Sequence, residues 1–316
     1  MRTAVISNPR KAEVRNIDVA KPGARELRIR LQGCGVCGSN VPVWEGRPWF
    51  QYPLEAGAPG HEGWGVVDEV GTEVAEFRCG DRVALLSYHA YADYDLASAE
   101  QVLHLPEQLG LTPFPAEPLG CAMNIFARSE IHEGSHVAIL GIGFMGALLV
   151  QLAKAAGAQV AAISRRPFAL ETAHSCGANE TFSVAQSGVR DAALGVTGHK
   201  GFDCVIEAVG RQESLDLAGE LVRERGRLVI AGYHQDGLRQ VNMQMWNWKG
   251  IDVVNAHERD PRTYIEGMRS AIDAVIDGRI NPEPLYTHVY PLEDLPRALD
   301  MASTRPDGFL KALVVS

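Results

Sequence analysis

Apolar positions follow two rhythms along the chain. In the first third they form short runs rich in β-branched residues, RTAVIS, ELRIRLQG and GWGVVDEVG. Gly and Pro punctuate this region at Lys21-Pro22-Gly23, Ala58-Pro59-Gly60 and Cys79-Gly80-Asp81. Runs of that length with that punctuation predict strands joined by turns, as in an antiparallel, barrel-like domain. From about Ile125 strand and helix alternate. HVAIL (136–140) reads as a buried strand, GALLVQLAKAAGA as a helix, QVAAI (159–163) as the next strand and PFALETAHSCGA as a second helix. DCVIEAVG, RLVIAGY and IDVVNAH are three further strands. Such alternation predicts a parallel sheet covered by helices on both faces. Beyond His257 the spacing in TYIEGMRSAIDAVIDG predicts a helix, and FLKALVVS ends the sequence as a strand. The economical layout is an α/β unit, residues 125–256, inserted in a β-rich domain made of 1–124 and 257–316.

Composition narrows the function. A length of 316 residues favours two domains or one large one, and 46% hydrophobic positions allow a normal core. The formal net charge of −9 argues against nucleic acid or an anionic membrane as the main partner. No apolar run approaches the roughly 18 residues of a spanning helix, and MRTAVISNPRKAEVRN has no secretory pattern. Six cysteines at irregular spacing do not make a disulfide framework. A cytoplasmic protein acting on a small molecule is expected.

The turn after HVAIL is Gly141-Ile142-Gly143-Phe144-Met145-Gly146. The pattern GxGxxG is common in tight turns, but here it follows a buried strand and opens a helix, the context of a dinucleotide fingerprint. Gly141 would allow the turn, Gly143 the approach of a pyrophosphate, and Gly146 helix–strand packing. Phe144 and Met145 would complete the phosphate-facing turn at the helix N-terminus. This makes the inserted unit a Rossmann doubly wound sheet. At the end of the second strand stand Ser164, Arg165 and Arg166, where NAD-binding chains usually carry a carboxylate. Two guanidiniums suit a 2′-phosphate, so NADP(H) is expected rather than NAD(H); a solvated basic turn is the plainer alternative.

The segment GCGVCGSN (33–40) contains a CxxC that could hold zinc, exchange disulfides or simply pack. Zinc takes about four Cys, His or carboxylate ligands. Cys37, His61, Glu62 and Glu117 each sit in a Gly- or Pro-shaped motif. With GHEGWGVVDEVG (60–71), GDRV (80–83), EPLGCA (117–122), the dinucleotide turn and DCVIEAVG (203–210) in this order, the chain resembles the medium-chain dehydrogenase/reductase superfamily. The likeness is to its zinc-dependent alcohol and polyol dehydrogenases, in the sorbitol- and threonine-dehydrogenase-like branch.

That resemblance implies a GroES-like β-barrel catalytic domain around the Rossmann unit. It implies one catalytic zinc on Cys37 and His61 with Glu62 beside them and Glu117 as the further ligand, Ser39 and Glu62 as catalytic residues, and a homodimer or homotetramer. Cys121 rivals Glu117, but aligning EPLGCA on the branch puts Gly120 at the place of the cysteine that other branches use. Cys34 becomes a buried neighbour on the preceding strand rather than a redox partner. Between Cys79 and Cys121 there is no cysteine, so the lobe that carries a second, structural zinc in many relatives is missing.

Two departures stand out. Relatives usually carry Asp where this chain has Asn40, and many carry a relay histidine where it has Pro42. Ser39 would then pass the substrate proton either through the nicotinamide ribose to water or to another residue elsewhere in the chain. The loop VPVWEGRPWFQYP (41–53) offers Trp44, Arg47 and Trp49 to a cyclic polyol or sugar-like substrate, or else these aromatics only pack. His234 and His257 are either substrate contacts or structural residues. The expected reaction is interconversion of a secondary alcohol, polyol or sugar-like hydroxyl with its carbonyl. The alternatives are a zinc-free enone or quinone reductase of the same superfamily and a non-catalytic NADPH-binding protein.

Overall fold

The computed structural model describes residues 1–316 as two compact units. The first comprises Met1–Cys121, Asp260–Ile276 and Pro282–Ser316; the second comprises Ala122–Arg259 and Asp277–Asn281. No helix is long and apolar enough to cross a membrane.

The first unit begins with the hairpin β1 (Arg2–Asn8) and β2 (Lys11–Asn16). Next come β3 (Glu26–Gly35), the short helix α1 (Asn40–Glu45), β4 (Gly63–Val70), β5 (Arg82–Leu85), β6 (Tyr94–Ser98) and β7 (Val102–His104). Helix α2 (Ala116–Ser129) leads out of it. Strand β3 is the organiser. Its alternate residues Leu27, Ile29 and Leu31 are buried, the period-two pattern of a strand with one face on a core. One edge of β3 pairs with β4, with bulges at Arg28/Ile29 and Leu31/Gly33. Bulges bend a strand, and the other edge divides: residues 26–30 pair with β6 and residues 33–35 with the last strand of the chain.

The second unit reads β8 (His136–Leu140), α3 (Phe144–Ala155), β9 (Gln159–Ser164), α4 (Pro167–Ser175), β10 (Glu180–Ser183), α5 (Val189–Gly195), β11 (Phe202–Glu207), α6 (Gln212–Leu221), β12 (Val222–Ile230), α7 (Met243–Lys249) and β13 (Asp252–Asn255). Its sheet is wholly parallel in the order β10-β9-β8-β11-β12-β13. This is the doubly wound order whose reversal lies between the first and fourth strands. The central strands bury nearly every side chain, which is why HVAIL and QVAAI read as unbroken apolar runs. The edge strand β13 leaves Val253 42% exposed.

The chain then returns to the first unit with α8 (Pro261–Ile276), β14 (His288–Pro291), α9 (Leu295–Thr304) and β15 (Ala312–Val315). Leu295, Ala298, Leu299 and Ala302 of α9 face the same core as Leu27 and Ile29. A Rossmann unit inserted in a GroES-like β domain is therefore the architecture.

Candidate metal centre and dinucleotide-binding turn

The metal-type residues come from three places in the first unit. Cys37 lies on the turn after β3, His61 and Glu62 immediately precede β4, and Glu117 is in the first turn of α2. The ligand atoms of Cys37, His61 and Glu62 lie within 4.8 Å of one another. The backbone N–H of Ser39 donates to Cys37 Sγ at 3.5 Å. His61 Nδ1 lies 2.8 Å from the Pro59 carbonyl. A carbonyl only accepts, so Nδ1 carries the proton and Nε2 keeps its lone pair for a metal.

The electrostatics of the centre call for a cation. Burial works against a charged His61, yet the Cys37 thiolate, its hydrogen bond, Glu117 and Glu62 together raise the imidazole to about 10. Burial pushes the Glu117 carboxyl up, opposed by His61. Cys121 donates its thiol hydrogen to Glu117 Oε1 at 3.3 Å, and burial with the neighbouring carboxylate holds that thiol well above its ordinary range. The rival ligand is thus a protonated thiol one turn along the same helix. Donors of one sign gather around one imidazole, and the residues present fit a zinc ion, a borderline-soft cation bound by thiolate, imidazole and carboxylate.

Lys311, which the sequence reading overlooked, completes the charge balance. Its Nζ donates to Glu62 Oε1 at 2.6 Å and contacts Oε2 as well, with both side chains almost wholly buried. A lone lysine inside the apolar run FLKALVVS is the signal that could have found it, because a buried ammonium requires an anionic partner.

Of the proposed substrate residues, Trp44 needs correction. The start of the stretch is a helix, α1, whose turn aims Trp44 into the core at 1% exposure, with Nε1 donating to Asp300 Oδ1 at 2.7 Å. Pro42 does not prevent this helix because it falls in the first turn, where no intrahelical N–H is needed. Trp49 is 54% exposed beside Phe50, and Arg47 pairs with Glu45. Ser39 is half-buried at the start of α1 and makes no cap hydrogen bond. Cys34 is buried on β3.

In the second unit, Gly141 has φ +95°, and a β-carbon on Gly146 would lie 2.1 Å from the Gly141 carbonyl oxygen. A β-carbon on Gly143 would meet nothing within 4 Å, so the turn is open there while closed behind. Phe144 and Met145 form the first turn of α3, whose N-cap residue is Gly143. Gly143 has no side chain with which to cap this helix N-terminus, the end of a helix that favours an anion. Strand β9 ends at the buried Ser164; Arg165 is exposed, and Arg166 is the extended residue before Pro167 opens α4.

At the end of β11, Glu207 is fully buried. Its Oε1 accepts from the N–H groups of Val209 and Gly210 and from Ser214 Oγ, and Oε2 accepts from His234 Nε2. Arg239 donates to the other nitrogen of His234 at 2.9 Å. His234 is held between them as a brace, and His257 stacks on Tyr233.

Two family models match the chain. The alcohol dehydrogenase GroES-like domain covers residues 23–121 and the zinc-binding dehydrogenase covers residues 145–274. The sorbitol dehydrogenase of Halalkalibacterium halodurans is 26% identical over 88% of each chain. That of Bacillus subtilis is 25% identical, covering 99% of this chain and 97% of its own. A structure from Sinorhizobium meliloti, described as a zinc-binding dehydrogenase bound to NADP, is 26% identical. It superposes with a TM-score of 0.86, covering 100% of this chain and 99% of that one. With both units matched in order, the chain belongs to the medium-chain dehydrogenase/reductase superfamily, in its branch of zinc-dependent alcohol and polyol dehydrogenases.

Proposed function

We propose that the protein is a zinc-dependent, NADP(H)-linked dehydrogenase that interconverts a secondary alcohol, polyol or sugar-like hydroxyl with its carbonyl. The observation that carries this reading is the convergence of Cys37, His61 and Glu62 within 4.8 Å in a family of alcohol dehydrogenases. Cys37, His61 and Glu117 would hold the ion, with Glu62 beside it. When bound, zinc supplies Lewis acidity to an oxygen and the nicotinamide supplies the hydride acceptor or donor.

The protein's own part is placement and proton handling. Lys311 keeps the Glu62 carboxylate neutralised, so the centre does not carry an excess of negative charge. The Ser39 hydroxyl, two residues from Cys37, would take the substrate proton. Pro42 offers no side-chain group to carry it further, so Ser39 would be the last proton-carrying side chain that this loop supplies. Arg47 and Trp49 would meet the polar and flat faces of a polyol.

Zinc per chain, measured by elemental analysis of protein purified without chelator, should be about one and should be lost in Cys37→Ala. No zinc, together with reduction of activated alkenes, would sink the mechanism and favour the enone reductase alternative. The cofactor preference rests on Arg165 and Arg166 without a nearby carboxylate, and on the relative that binds NADP. Arg165→Ala should raise the KM for NADP about tenfold or more while leaving that for NAD unchanged. Equal effects on both cofactors would remove Arg165 from phosphate recognition.

A further inference from the structure

The segment between β5 and β6 runs through Ser87-Tyr88-His89-Ala90-Tyr91, and nothing in the proposed mechanism uses its second tyrosine. Yet Tyr91 is 0% exposed, and its backbone is fixed on both sides. Its N–H donates to the Gly57 carbonyl, its carbonyl accepts from Ala4, and the neighbouring Ala90 N–H donates to Gly60. Such anchoring leaves the phenol one place to go. Its hydroxyl donates to Asn40 Oδ1 at 2.8 Å, with the Gly35 carbonyl farther away at 3.3 Å.

Asn40, itself 1% exposed, bridges the two loops that carry the metal-type ligands. Its Oδ1 also accepts the Cys37 N–H at 3.2 Å. Its Nδ2 donates to the Pro59 carbonyl at 3.2 Å, the same carbonyl that fixes His61 Nδ1. The amide orientation is forced, because the Cys37 N–H can only donate and the Pro59 carbonyl can only accept. An aspartate here would set its second oxygen against the Pro59 oxygen with no hydrogen between them, in a site closed to water.

We propose that Tyr91 and Asn40 form a neutral brace that sets the Cys37 and His61 loops in register, which makes Tyr91 a positioning residue of the metal centre and requires an amide rather than a carboxylate at position 40. This rests on the metal reading above. It also accounts for the departure at position 40: the Pro59 carbonyl needs a donor there, which an amide supplies and a carboxylate does not.

The test is metal affinity, measured by chelator competition with zinc and by cobalt titration, on the full chain. Tyr91→Phe keeps the ring and removes the hydroxyl. It should weaken zinc binding about tenfold to a hundredfold and shift the cobalt–thiolate charge-transfer band. Asn40→Asp should weaken binding as well, and Tyr91→Phe added to Asn40→Ala should cost no more than Asn40→Ala alone, since both cut one chain of contacts. A purely structural Tyr91 would lower the unfolding temperature of the chelator-treated protein and leave the affinity and the cobalt bands unchanged, which overturns the proposal. If wild-type protein binds neither metal, the metal reading falls and this inference with it. If wild-type protein binds one ion and both Tyr91→Phe and Asn40→Asp bind it equally well, only the brace falls. Should Tyr91→Phe not fold, Asn40→Asp decides the matter by the same readout.

Discussion

Lys311 sits immediately before β15 with 4% exposure, and the carboxylate it hydrogen-bonds is the buried Glu62, 249 positions earlier. Removing one member of a buried pair strands the other charge, a loss of about 3–5 kcal/mol. Lys311→Met should therefore lower stability by that order in urea unfolding of chelator-treated protein, and Glu62→Gln in the same chain should recover much of it. A loss near zero in the single variant would mean that water reaches the pair. The separation along the chain explains why the pair was invisible in sequence: a motif shows neighbours, and this partner arrives through β15 pairing with β3. Trp44 illustrates the opposite difficulty. Aromatic residues clustered after the cysteine suggested a substrate wall, but only the helical turn of α1 decides which ring faces the core.

Elements whose side chains are buried on all sides were the most legible. HVAIL is β8 in full, QVAAI stops one residue short of the end of β9 and DCVIEAVG starts one residue into β11. RLVIAGY catches only Arg227 to Ile230 of β12, whose earlier residues include exposed charges. Elements without that pressure were not. Helix α7 has seven residues and buries none of them, and β10 is four residues long with no buried side chain, so neither leaves a periodic mark. The hairpin strand β2 has no buried side chain between its charges and was not among the expected strands. Polar contacts that tie strands together were equally silent. Asp203, on β11, accepts the His136 N–H at the start of β8 and the Arg223 guanidinium from β12. Burial pushes its carboxyl up, but the His136 and Arg223 hydrogen bonds and the Arg223 charge outweigh this and leave it lowered. A lowered carboxyl contributes stability above its unfolded value of about 3.9 and loses it as pH falls through the folded value. Asp203→Asn should thus reduce the unfolding temperature by about 2–4 °C at neutral pH, and the gap to wild type should close in acid. A gap that persists unchanged below pH ~2 would assign the effect to the hydrogen bonds alone.

For the whole molecule, the open edge of the six-stranded sheet is the notable surface. Strand β13 pairs only with β12, and Val253 stands exposed on it. An unprotected edge of this kind accepts another strand, and the expected dimer or tetramer would form there. Light scattering should report an oligomer for wild type and a smaller species for Val253→Arg; a wild-type monomer would remove the expectation. The discontinuity of the first unit has a consequence for biosynthesis. Residues 122–259 can leave the ribosome and fold as a parallel sheet while β3 still lacks the strand that pairs with its last residues, because β15 is made from residues 312–315. The same short stretch delivers Lys311 to Glu62. During translation, Cys37, His61 and Glu62 therefore wait some 250 residues, many seconds at ordinary elongation speed, before their surroundings are complete. A ribosome stalled before residue 312 would carry a chain with a finished parallel sheet and an unfinished metal centre, and quality control would meet the unpaired end of β3.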